Sequence, residues 1–246
     1  MNAVLSLWTW FEIGLVALLG FIVQCLFFVV SWPFDRRRLL VGRTFRMVGV
    51  VAARLTPFWH FGVVGTPPRA VGRTVVVSNH ESQADPFLIS HLPWEMKWLG
   101  KASLFRLPVV GWMMWLAGDV PVRRGDSASG KEAMEACGRW LARGVPVMMF
   151  PEGTRSADGA LLPFKDGAFR LAIEAGADVL PVAVFGTRQA LPKHSWRFQR
   201  ADARVTVGTA LSTRDLTLSD LETLKAAARA QVAALREQLR ARATER

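Results

Sequence analysis

Residues Ile13–Val30 read IGLVALLGFIVQCLFFVV, eighteen positions without a charge and with Gln24 as the one strongly polar side chain. A helix satisfies its backbone hydrogen bonds internally, so an apolar run of this length meets the lower bound for a segment that crosses a bilayer or inserts deep into one leaflet. Trp8, Trp10 and Trp32 flank the run, as interfacial aromatics do, and Arg36-Arg37-Arg38 follow at once. The positive-inside tendency places those arginines on the cytoplasmic side. A core helix of a soluble protein would share the apolar run but not the flanking set. The reading is membrane attachment, with spanning and single-leaflet insertion both open.

Residues 37–56 interleave Leu39, Leu40, Phe45, Met47, Val48, Val51 and Leu55 with Arg43, Arg46 and Arg54. Two readings stand: a basic amphipathic helix at the lipid surface, or a helix packed on a globular domain. Pro57, Pro67 and Pro68 mark the passage beyond it. The expected organisation is a membrane-associated two-helix module over 1–60 and an α/β domain with a C-terminal helix over 61–246. The extreme N-terminus lacks Lys and Arg, so no signal-peptide n-region is expected.

The formal charge is +11, from 31 Lys and Arg against 20 Asp and Glu. That surplus suits nucleic acid, an anionic membrane surface or phosphorylated substrates, and an arginine-rich proteome would produce it too. A nucleic-acid role is set aside because no recognition motif is present and it would leave Ile13–Val30 unexplained. Cys25 sits in the apolar run and Cys137 in a helical pattern, so neither belongs to a disulfide framework or a metal cluster. A reducing, cytoplasmic setting fits the soluble part.

From residue 71 onward short β-rich runs alternate with helical ones. Strands are expected at Thr74–Ser78, Met96–Leu99, Gly118–Val122, Val145–Phe150 and Val179–Phe185, with Arg204–Val207 as a possible last one. Helices are expected at Lys131–Ala142 and Gly167–Ala175. A capping box from Ser219 to Glu222 should open a C-terminal helix. Alternating strands and helices indicate a mixed, mainly parallel sheet flanked by helices. Pro121 marks its strand as an edge or irregular segment.

Three polar clusters follow expected strands, where α/β folds place their sites. In the first, His80 leaves the strand and Asp85-Pro86 reads as a helix N-cap with proline at the first helical position. Four intervening residues can bring the Asp85 carboxylate back to the imidazole, fixing its tautomer and stabilising the imidazolium. By spacing alone, Asp85 could equally cap its helix and His80 be a surface loop residue. The second cluster is Phe150-Pro151-Glu152-Gly153-Thr154-Arg155-Ser156, where Gly153 allows a tight turn and Arg155 offers a planar fork for phosphate. The third set is Lys101, Arg123 and Arg124, each of which could be solvated charge. Phe150 and Pro163-Phe164 are assigned to packing, and Met113-Met114 and Met148-Met149 to the core.

Taken in order, these pieces resemble the glycerophosphate acyltransferase family, in particular 1-acylglycerol-3-phosphate acyltransferases. The HxxxxD arrangement at His80 and Asp85 precedes FPEGTRS, with GKASLFRLPVVGWMMWLAG (100–118) and GDVPVRR (118–124) between them. LLPFKDGAFRLA (161–172) and VLPVAVFGT (179–187) resemble later blocks. The resemblance covers about residues 71–195. It implies direct acyl transfer from acyl-CoA or acyl-carrier protein to the free hydroxyl of 1-acylglycerol-3-phosphate, giving phosphatidic acid, with no acyl-enzyme. His80 would be the general base and Asp85 its orienting partner. Lys101, Arg124, Glu152, Gly153, Thr154 and Arg155 would bind the acceptor and its phosphate. The chain has no Gly-x-Ser-x-Gly elbow, in keeping with direct transfer.

Arg123 stands where the family more often has a smaller or acidic residue, which leaves open which arginine meets phosphate. Asp166 likewise follows Lys165 where a second basic residue is common. No metal or cofactor is expected. Localisation at the inner membrane is expected, with the catalytic domain on the cytoplasmic side by the arginine placement and the site facing the membrane plane, so that the acceptor's acyl chain stays in lipid. The alternatives are the same chemistry on a lyso-ornithine or lysophosphatidylethanolamine-type acceptor, and a catalytically dead lipid-binding protein.

Overall fold

A computed structural model describes residues 3–156, 159–192 and 194–244. It begins with two helices, α1 (Ala3–Ser31) and α2 (Leu39–Leu55). Seven strands then alternate with further helices: β1 (Trp59–Val64), β2 (Thr74–Ser78), α3 (Asp85–Ile89), β3 (Lys97–Lys101), α4 (Val110–Ala117) and β4 (Val120–Val122). They continue as α5 (Ser127–Ala142), β5 (Val147–Met149), α6 (Gly167–Ala175), β6 (Asp178–Phe185), α7 (Thr187–Ala190), β7 (Ala201–Val207) and α8 (Leu221–Thr244).

The strands form one sheet in the order β1-β7-β6-β2-β5-β3-β4. Every neighbouring pair is parallel except β6 with β7, so the sheet is mixed and mainly parallel, as the alternation implied. Strand β2 lies between β5 and β6, and all five of its residues, TVVVS, are buried. A run without polar alternation is what a strand covered on both faces requires. Val75 and Val77 face a core shared with α5, α6 and α8, including Cys137, Phe169 and Val232. Val76 faces the other way, toward Leu88 and Ile89 of α3 and Met148 of β5. Pro121 does lie on an edge strand, β4, where its missing N–H interrupts no inner ladder.

Some local expectations shift. Strand β1 was not anticipated; WHFGVV carries His60 and Gly62 and joins the sheet only through β7, far along the chain. It also straddles the expected junction at residue 60. The capping box is at Thr217 and Asp220, two residues before the expected one, and it opens a single 3-10 turn that leads into α8. Asp85 is the first residue of α3 rather than its N-cap, which is Ala84.

Helix α1 is arranged inside out. Ser6, Thr9, Ala17 and Gln24 are its buried residues, while Leu7, Trp8, Phe11, Leu19, Ile22 and Val29 are exposed. Along its inner stripe the Phe198 N–H donates to Ser6 Oγ, and the Gln24 amide donates to the carbonyls of Val41 and Met113. At Gly20 the backbone lies so close to Val48 of α2 that a Cβ would fall 2.1 Å from a methyl carbon. Helix α2 is packed on the domain: Val41, Gly42, Arg46, Val50, Ala52 and Ala53 are buried, and only its Leu39, Leu40, Met47, Val51 and Leu55 side remains open. Of the two readings of residues 37–56, packing describes the inner face. Arg46 is enclosed there by Asp119, to which it donates, and by Glu95 at 3.5 Å. Lys97, fully buried, meets Glu95 at 3.2 Å and donates to the Arg38 carbonyl at 2.7 Å.

Candidate active site

Parallel strands end their chains on the same edge of a sheet, and that edge is where loops can converge on a ligand. Here the C-terminal ends of β6, β2, β5, β3 and β4 lie side by side in that order. They lead into Thr187, His80, the Glu152–Arg155 turn, Lys101 and the Arg123-Arg124 pair respectively. All of the candidate residues therefore share one rim. From β2 to β4 is three strand spacings, about 14 Å, so an arginine on β4's loop must reach back toward His80.

His80 Nδ1 lies 2.6 Å from Asp85 Oδ2, with the His80 side chain 12% exposed and Asp85 fully buried. The same Asp85 oxygen accepts the N–H groups of Glu81 at 2.8 Å and Ser82 at 3.0 Å. Its other oxygen accepts the Thr187 hydroxyl. The carboxylate is thus turned back into its own loop, and each of its oxygens is satisfied. With Nδ1 held as the donor to a carboxylate, Nε2 is the nitrogen left to accept a proton. The imidazole is stacked on Phe150, centroids 4.1 Å apart and planes 17° from parallel. Phe150 therefore sets the plane of the ring, in addition to the packing expected of it.

The histidine loop is pinned from both sides. Asn79 pairs with the Val184 backbone through both its amide nitrogen and its oxygen, each at 2.9 Å, fastening the end of β2 to β6. Glu152 accepts the His80 N–H at 2.7 Å and the Leu162 N–H at 2.9 Å. The Ser156 N–H donates to the His80 carbonyl at 3.1 Å. Glu152, singled out with the acceptor-binding block, is buried and spends both oxygens on backbone. Burial pushes its pKa up, against the pull of those two amides.

Gly153 has φ +69°, a conformation that favours glycine, and a Cβ there would fall 2.9 Å from Lys165 Nζ. The Lys165 ammonium consequently lies over the turn, a cation that sequence reading did not assign to the site. Gly186, φ +93°, has its own requirement: a Cβ would sit 2.2 Å from the Asp202 carbonyl oxygen. That turn lets Thr187 reach Asp85.

The arginines separate. Arg123 donates from Nε to Asp126 at 2.8 Å and is turned outward. Arg124 has no ion pair among the described residues. Its pKa is lowered by partial desolvation and then by the charge of Arg155. Lys101 is exposed at the end of β3, and Thr154 is exposed on the turn after β5.

One further pair went unread in the sequence. Glu81, next to His80, is buried and meets Arg236 of α8 at 3.0 Å. Burial first, and the charge of Asp85 second, push its pKa up to about 7 against the pull of Arg236. Arg236 also donates to the Gly159 carbonyl, so α8 ties the histidine loop to the segment after the glycine turn. The only pointer was that α8 carries many arginines.

The Acyltransferase family model matches residues 62–185. A 1-acyl-sn-glycerol-3-phosphate acyltransferase of Chlamydomonas reinhardtii is 36% identical over 161 residues, covering 65% of this chain and 48% of that protein. The enzyme of the same name from Salmonella typhimurium is 31% identical, over 70% of this chain and 71% of its own. The chain spans about half the length of the first of these relatives. In fold it is similar to the 1-acyl-sn-glycerophosphate (LPA) acyltransferase of Thermotoga maritima, with a TM-score of 0.74, 24% identity and 95% of each chain covered. The matched segment runs from within β1 to the end of β6 and contains the histidine loop, the glycine turn and the arginine pair, and on that match the chain belongs to the acyltransferase family.

Proposed function

We propose that this acyltransferase moves a fatty acyl group from acyl-CoA or acyl-carrier protein to the free hydroxyl of 1-acylglycerol-3-phosphate, forming phosphatidic acid. The observation that carries the reading is the His80–Asp85 pair, which leaves Nε2 as the nitrogen to accept a proton, on the same sheet rim as Arg124 and Arg155. His80 Nε2 accepts the proton of the acceptor hydroxyl as its oxygen attacks the thioester carbonyl. The Asp85 carboxylate stabilises the imidazolium so formed. The carbon–sulfur bond then breaks, and the departing thiolate recovers the proton from Nε2. A cysteine acyl-enzyme is disfavoured, because burial pushes the Cys137 thiol up to about 12 and it lies beneath the sheet in the core.

Arg124, Arg155 and Lys101 supply the positive charge for the acceptor's phosphomonoester, and Lys165 over the glycine turn adds to it. Arg124 suits that role better than Arg123, whose guanidinium is spent on Asp126. Glu152 acts through the backbone of His80, so we assign it positioning in place of direct contact with the acceptor.

The inside-out helix α1 supports attachment to the membrane. At 29 residues it is about 43 Å long and is held to the domain from Ser6 to Gln24. Standing across a hydrocarbon layer of about 30 Å, it would drag the domain in with it. We therefore infer that α1 lies in one leaflet with its apolar face in lipid, joined there by exposed Leu104, Leu107, Trp112 and Trp115. The inner membrane, cytoplasmic face, is the proposed location.

The test is acyl transfer in detergent from a thioester donor to lysophosphatidic acid, comparing wild type with His80→Ala. Removing the base should slow transfer by at least about a hundredfold. Equal rates would remove His80 from the mechanism. Wild-type activity on a lyso-ornithine lipid alone would keep the chemistry and replace the acceptor.

A further inference from the structure

A second basic feature lies at the opposite end of the sheet from His80. Arg73 immediately precedes β2 and Gly144 precedes β5, so both mark the N-terminal ends of the strands whose C-terminal ends carry the site. Between them and the α1–α2 turn is an open cleft of about 1110 Å³. Arg36, Arg37, Arg38, Arg73 and Arg143 line it, with Asp35 as the one carboxylate. It is about 20 Å from the histidine, measured along β2.

Asp35 is the single countercharge in the cleft, and its carboxylate also serves the backbone. Its two oxygens accept the N–H groups of Leu39 at 2.7 Å and Leu40 at 2.9 Å, capping α2. Arg36 and Arg37 make no hydrogen bond or ion pair among the described residues. Arg38 is held in place by donating to the Trp115 carbonyl at 2.8 Å, and Arg143 lies 5.0 Å over the Trp140 ring. Burial, and then the charge of Arg143, lower the Arg38 pKa against the pull of Asp35. Arg73 donates to the Ala175 carbonyl at 3.4 Å. Five arginines thus line one cleft with a single carboxylate among them, a surface suited to an anion that accepts several hydrogen bonds.

The walls identify the anion. Phe28 and Trp32 line the cleft beside the arginines, Trp32 is 62% exposed and Phe34, on the same turn, is 88% exposed. This apolar rim is continuous with the outward face of α1. A molecule with a phosphate for the arginines and hydrocarbon for the helix matches both surfaces. An acidic carrier protein delivering a thioester would have to serve His80, at the other end of the strands. Free phosphate would leave the apolar rim without purpose.

We propose that this cleft is a second lipid site, which holds the phosphate headgroup of an anionic membrane phospholipid that is not itself acylated. The bound lipid fixes the C-terminal end of α1 at the headgroup layer, separately from the catalytic rim. The proposal does not depend on which lipid is the acceptor.

The full chain, purified in neutral detergent, is titrated with phosphatidylglycerol, phosphatidylcholine and inorganic phosphate while melting temperature and tryptophan fluorescence are followed. Phosphatidylglycerol should raise the melting temperature saturably, as a ligand of the folded state does. On the proposed function the catalytic rim takes a phosphate as well, so the deciding quantity is the difference between variants. R36Q/R37Q/R143Q should need at least about tenfold more phosphatidylglycerol, since each cation near a lipid surface is worth roughly fivefold. R36K/R37K/R143K should bind close to wild type, and R214Q/R240Q/R242Q, equal in charge but elsewhere, should not differ from it. If the glutamine triple melts lower without lipid, R143Q alone serves, with an expected loss of about fivefold.

Equal losses in the two glutamine triples would reduce the effect to diffuse charge and overturn the proposal. So would equal stabilisation by phosphatidylcholine, or the whole effect from inorganic phosphate. Unchanged lipid binding in R36Q/R37Q/R143Q, with weaker use of a carrier-protein thioester, would assign the cleft to an acidic protein instead.

Discussion

Asp85→Asn separates the charge of the proposed catalytic pair from its geometry. Asp85 Oδ2 accepts three hydrogens, from His80 Nδ1 and the backbone of Glu81 and Ser82, whereas Oδ1 faces only the Thr187 hydroxyl. An asparagine amide placed at Oδ2 would confront three donors with a fourth. The side chain must therefore put its oxygen there and its NH2 toward Thr187, whose hydroxyl can turn from donor to acceptor. The tautomer of His80 and the loop are retained, and what disappears is the negative charge opposite the imidazolium. Breaking a buried charged pair of this closeness costs roughly 3–5 kcal/mol. If that cost falls in the transition state, where the imidazolium exists, kcat drops between about 150-fold and 5000-fold. The KM for lysophosphatidic acid should stay within about twofold, because the phosphate contacts proposed above involve other residues. The assay is steady-state transfer in detergent at saturating thioester, with the thermal melt as a control for folding. A folded variant within threefold of wild-type kcat would refute the claim that Asp85 acts through its charge. A loss confined to KM would place it in acceptor binding.

Other expectations follow from the same geometry. Arg124→Gln should raise the KM for lysophosphatidic acid by about tenfold or more, from the loss of one charge-assisted bond, whereas Arg123→Gln should change it by less than about twofold; the reverse pattern in initial-rate kinetics would exchange their roles. Glu81 has a folded pKa of about 7 against an ordinary 4.5, so the folded state holds its proton more readily than the unfolded chain. Its contribution is fully present below about pH 4.5 and is lost as pH rises to about 7, up to about 3 kcal/mol. Glu81→Gln should flatten that part of a melting-temperature profile, and an unchanged slope would count against the assignment. Gln24→Leu should lower stability by about 1–3 kcal/mol by removing the donor to two carbonyls, while leaving vesicle binding intact; undiminished stability in a thermal melt would show that the inner polar stripe of α1 does not hold it to the domain.

Much of this architecture is written locally. The TVVVS run announces a strand covered on both faces, because only such a strand can be apolar at every position. Gly167–Ala175 shows its helical period and matches α6 to the residue. His80 and Asp85 are five apart, close enough for one loop to join them, and Ile13–Val30 reads as a helix long and apolar enough for a membrane. What no local pattern carries is which distant groups complete these pieces. WHFGVV becomes a strand only because β7, some 140 residues on, offers it a parallel edge. Thr187 reaches Asp85 across 102 positions, and Arg236 reaches Glu81 across 155. Glu152 reads in sequence as a ligand for the acceptor and stands in the fold as a clamp on the His80 backbone. Likewise, the apolar run shows only that the helix is hydrophobic, while the direction of Ser6, Thr9 and Gln24 relative to the domain decides which side of it stays exposed. Periodicity and propensity act over a few residues. The partners of a buried carboxylate, the plane of an imidazole and the gathering of five arginines around one cleft are set only when the sheet order brings remote strand ends together.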